Sequence, residues 1–82
     1  MIYLIEYDRT AGQLVTLRPF LDSERDTAEH ARLELELELN RKGILHEVVL
    51  LDAASEDALR RTHRRYFENL TEILESSRSG GG

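Results

Sequence analysis

The residues of this chain best equipped for chemistry gather in two short runs. In Arg60-Arg61-Thr62-His63-Arg64-Arg65-Tyr66, helical spacing puts Arg60, Arg61, Arg64 and Arg65 on one side and Leu59, Tyr66, Phe67, Leu70, Ile73 and Leu74 on the other. Each guanidinium is permanently charged and offers a planar fork of donors suited to phosphate. The same face carries its own acids, with Asp57 four residues before Arg61, Glu68 four after Arg64 and Glu72 seven after Arg65. That spacing favours a solvated helix laced with ion pairs. Arginine also outnumbers lysine ten to one along the whole chain. Binding of nucleic acid or a phosphate ligand by these four arginines is therefore the alternative reading of the run.

The second run, Leu33-Glu34-Leu35-Glu36-Leu37-Glu38-Leu39, alternates strictly, which is the signature of a half-buried strand. Against a strand, Leu and Glu are strong helix formers and no β-branched residue interrupts them. Ser23 with Asp26 approximates a capping box, and Gly43 after Arg41-Lys42 is a stop signal, so a helix is expected between. On that helix Ala28, Ala31, Leu35 and Leu39 form one apolar stripe, assigned to the core. His30, Leu33 and Leu37 fall nearly opposite. So small a domain cannot surround a helix, so these three form a candidate interface, a two-fold seam in which one patch is complementary to itself. The plainer account is two tolerated surface leucines. Glu34, Glu36 and Glu38 could then face arginines of a neighbouring subunit and set its orientation. If the segment were a strand, its leucines would share one face and it would need an edge partner.

The histidines assemble no site. His63 falls on the apolar side of the last helix, where a packed ring is the expected role. His46-Glu47 begins like a zinc helix motif, but Leu50 stands where the second histidine is required. His30 has no third ligand nearby. Neither a metal nor a cofactor is expected, because the chain has no cysteine, no phosphate-cradling glycine loop and no nucleophile elbow. Asn69-Leu70-Thr71 matches a glycosylation acceptor but falls on the buried side of the expected helix. An enzyme would have to build its site between subunits, with Tyr3, Tyr7, His46 or His63 meeting across a cleft, and no constellation compels this.

The elements that must position these residues follow from local pattern. Ile2–Tyr7 and Leu14–Arg18 are rich in β-branched and aromatic residues, with turn chemistry at 8–13, and read as a hairpin whose second strand Pro19 confines to a sheet edge. Ile44–Leu51 is a short apolar run expected to form an interior strand with both faces mostly covered. Ser55, followed by Glu56-Asp57, caps a final helix reaching about Glu75. The order β-β-α-β-α implies an α+β fold: a three-stranded, mainly antiparallel sheet in the order 2-1-3, with two helices on one face. The first strand is apolar on both sides, so the opposite sheet face would be left open and in need of cover.

With 82 residues, one domain over residues 1–76 is expected, followed by a Ser/Gly tail at 77–82. A composition of 40% hydrophobic and 33% charged residues is that of a folding chain. The net charge of −5 disfavours a phosphate backbone on average. Met1-Ile2-Tyr3-Leu4-Ile5-Glu6 lacks the basic flank of a signal peptide, and no run approaches the length of a membrane span. A soluble, cytoplasmic interaction module that pairs with itself or another protein is the first expectation, ahead of the arginine-faced binder and an interfacial enzyme.

Overall fold

A computed structural model describes residues 1–68. Strands β1 (Ile2–Asp8) and β2 (Gln13–Phe20) form the hairpin, helix α1 (Arg25–Lys42) follows, and β3 (Glu47–Asp52) leads into the short helix α2 (Glu56–Thr62). The strands make one antiparallel sheet in the order β2-β1-β3. Fold class, element order and sheet order are those expected from the sequence.

At the hairpin turn, Oδ1 of Asp8 accepts the N–H groups of Thr10 and Ala11, each at 3.0 Å, and Gly12 closes the turn at φ 67°. Pro19 lies opposite Tyr3 in β2, an edge strand, as its missing N–H requires. Residues 33–39 are helical: tertiary cover makes every fourth leucine count, not every second. A short 3-10 turn at Asp22–Glu24 precedes α1. Its cap is not the expected Ser23/Asp26 pair. The Glu24 carboxylate instead accepts the Leu21 N–H at 2.8 Å, while the Glu24 N–H donates to the Leu21 carbonyl at 2.9 Å. At the other end Gly43 adopts φ 69°, and Ile44 N–H reaches the Leu39 carbonyl at 2.9 Å, the hydrogen bonding of a Schellman stop.

Three expectations are corrected. The two helices lie on opposite faces of the sheet, not on one. Ile2, Leu4 and Phe20 pack with Ala28, Ala31 and Leu35 of α1, whereas Tyr3, Ile5 and Tyr7 pack with Leu59 of α2 and with Tyr66. Period-two alternation of an all-apolar strand makes this necessary, because β1 is buried on both sides and one helix covers only one of them. Second, β3 is the other edge strand and begins at Glu47. Its apolar run reflects cover above and below, with Val48 and Leu50 toward α1 and Val49 and Leu51 toward the α2 side.

Third, the final helix ends at Thr62, since His63 at φ −127°, ψ 50° leaves helical space before a second 3-10 turn at Arg64–Tyr66. The break delivers Tyr66 to the sheet, where its ring meets Tyr7 edge-on at 5.3 Å. The expected continuation to Glu75, the glycosylation match and the Ser/Gly tail lie outside the described residues.

Candidate functional site

The outer face of α1 is arranged as its spacing implies. Ala28 and Leu39 are buried, and Ala31 and Leu35 pack toward the sheet. One turn apart on the far side, Leu33 is 50% and Leu37 56% exposed, with His30 exposed beside them. Leu37, Glu34, Glu38 and Arg41 line an open depression of about 540 Å³. Charges along the helix are partly tied to one another: Arg32 to Glu36 at 3.2 Å and Lys42 to Glu38 at 3.0 Å. The Lys42 ammonium holds the Glu38 carboxyl below its usual range.

The four arginines do not share one helical face, because the break at His63 separates Arg60 and Arg61 from Arg64 and Arg65. Arg60 pairs with Glu56 at 3.2 Å and stacks over Phe67. The Arg61 Nε–H donates to the Asp57 carbonyl at 3.4 Å, and Arg64 pairs with Glu68 at 2.9 Å. Arg60, Arg61, Arg64, Phe67 and Glu68 line a depression of about 260 Å³. Arg65 turns away to the sheet, where it donates to Glu47 at 2.7 Å and to the Tyr66 hydroxyl at 2.6 Å, and its guanidinium lies 4.1 Å from the Tyr66 ring centre.

That last contact belongs to a cluster the sequence alone does not announce. The Tyr66 hydroxyl donates to the Glu47 carboxylate. This hydrogen bond, followed by the Arg65 guanidinium, holds the Glu47 carboxyl below its usual range despite partial burial. Burial, reinforced by the same hydrogen bond, pushes the Tyr66 hydroxyl up to about 12. The signal for it lies in two places 19 residues apart, and no local periodicity links them.

A second polar cluster stands on the α1 side of the sheet. Glu6 is only 6% exposed and accepts from the Thr16 hydroxyl at 2.9 Å and from His46 Nδ1 at 2.6 Å. His46 Nε2 lies 3.6 Å from Oδ2 of Asp8. His46 also lines a depression of about 240 Å³ with Glu36, Leu39, Asn40, Ile44, Leu45 and Val48. Glu6 is legible in retrospect as the one polar side chain among Ile2, Leu4 and Glu6, which alternate toward α1.

These histidines and tyrosines do not converge. Tyr3 and Tyr7 are core residues on the α2 side, and His63 lies tilted beside Tyr66 with ring centres 6.4 Å apart, whereas His46 occupies the opposite face. Among the described residues, no group of three or more His, Cys, Asp or Glu side chains could hold a metal ion, and no helix is long and apolar enough to cross a membrane. No protein-family model matches the chain, and no curated protein or solved structure is significantly similar to it.

Proposed function

We propose that this protein is a protein–protein interaction module that associates with a second copy of itself through the outer face of α1. The observation that carries this reading is the exposure of Leu33 and Leu37 on the side of α1 turned away from the sheet. Adjacent exposed leucines one helical turn apart offer apolar area that a two-fold contact buries twice. The sheet itself supplies no support, because each of its faces already has a helix. The arginines favour this reading over phosphate binding: three of them are paired with acids of the same chain, so a phosphate would first have to displace those carboxylates.

Light scattering after size exclusion tests it. Wild-type protein at tens of micromolar should show at least twice the monomer mass, and Leu33→Lys with Leu37→Lys should lower the mass while leaving the fold's circular dichroism unchanged. A wild type that stays monomeric at that concentration overturns the proposal.

A further inference from the structure

The two edges of the sheet are built differently. The β2 edge carries Pro19, and its pairing with β1 is interrupted by a register shift at Glu6/Tyr7. Both features discourage strand addition. The β3 edge has neither: its register against β1 runs unbroken from Glu47 to Asp52, and Val48-Val49-Leu50-Leu51 contains no Pro, Gly or charge. All four side chains are half-buried. Among the described residues, no backbone hydrogen bond reaches the outer side of β3. The acids at its ends, which would oppose an incoming strand, are tied within the chain, Glu47 by Arg65 and Asp52 by Arg25 at 3.0 Å.

From this asymmetry we infer that β3 pairs antiparallel with β3 of a second copy, joining two three-stranded sheets into one of six strands. The occupant follows from the strand itself. Glu-Val-Val-Leu-Leu-Asp holds four apolar residues between its two acids, so an antiparallel copy in register about Val49 meets apolar with apolar and places no acid directly opposite another. Directly opposed residues in an antiparallel pair share a sheet face. Pairing about Val49 sets Val48 against Leu50 of the second copy. This contact goes beyond the α1 seam and uses a different surface. With both contacts made, the assembly exceeds a dimer.

Hydrogen exchange on the wild-type protein, followed residue by residue across a hundredfold range of concentration, tests the inference. Every second amide of Val48–Leu51 points outward, and its exchange should slow on the order of tenfold as concentration rises. Protection that does not change with concentration means the edge is covered within one chain, and absence of protection means it stays open; either result overturns the inference. A Val49→Cys variant gives a second readout in a chain without cysteine. Mild oxidation should link two copies through position 49, in the Leu33→Lys, Leu37→Lys background as well as alone. Failure to cross-link in both backgrounds counts against β3 pairing. Loss of the α1 seam alone would leave this cross-link intact, so the two contacts fail separately.

Discussion

The Tyr66 hydroxyl donates to the Glu47 carboxylate, tying the segment after α2 to the edge strand β3 through a phenol whose ring already packs on Tyr7. Glu47 collects Arg65 at 2.7 Å and Arg9 at 3.9 Å around the same carboxylate, so one residue of β3 anchors the turn at 64–66 and approaches the β1–β2 hairpin.

Removing that hydroxyl isolates its contribution. Tyr66→Phe keeps the ring and its contact with Tyr7 and should cost about 1–2 kcal/mol in urea unfolding, toward the low end for a hydrogen bond to a charged group because the other donor, Arg65, remains. A change below about 0.3 kcal/mol would show that Arg65 alone satisfies Glu47.

The same pair sets two limits on pH stability. Tyr66 titrates near 12 in the folded protein against an ordinary value of 10.0, so its contribution is complete below pH 10.0 and is lost as pH rises toward 12. Glu47 is shifted down from 4.5, so its contribution is complete above that value and is lost as pH falls through the lower, folded one. Tyr66→Phe should flatten the alkaline limb of a stability–pH curve. An unchanged slope between pH 10.0 and 12 would contradict the assignment.

Glu6 and His46 should behave as a coupled pair. His46→Ala leaves a buried carboxylate with Thr16 as its remaining partner and should cost about 2–3 kcal/mol. Glu6→Gln combined with His46→Ala should cost less than the sum of the two single changes, with a coupling of about 1 kcal/mol or more. Additive effects in the double-mutant cycle would mean that the 2.6 Å contact contributes nothing to stability.

Gly43 tests the end of α1. A Cβ there meets nothing within 4 Å, but the backbone sits at φ +69°. Gly43→Ala should therefore destabilise by about 1 kcal/mol through backbone strain alone, read as a lower midpoint in thermal unfolding. An unchanged midpoint would mean the helix ends another way in the variant.

The elements and their order were legible in the sequence for local reasons. β-branched and aromatic residues at 2–7 and 44–51, turn chemistry at 8–13, and stop and cap residues at Gly43 and Ser55 each act within a few positions. The exposure of Leu33 and Leu37 was equally legible, because once α1 forms, helical spacing alone opposes them to Leu35 and Leu39. Tertiary structure decided what distance along the chain conceals. Tyr3, Ile5 and Tyr7 required a cover that only α2 could bring, and this moved α2 to the second face. Glu6 found His46 forty residues later, and Glu47 found Tyr66, because carboxylates withdrawn wholly or partly from water must be satisfied by whatever donors the packed layers bring within reach. Such pairings depend on how layers stack, which no period along the chain encodes.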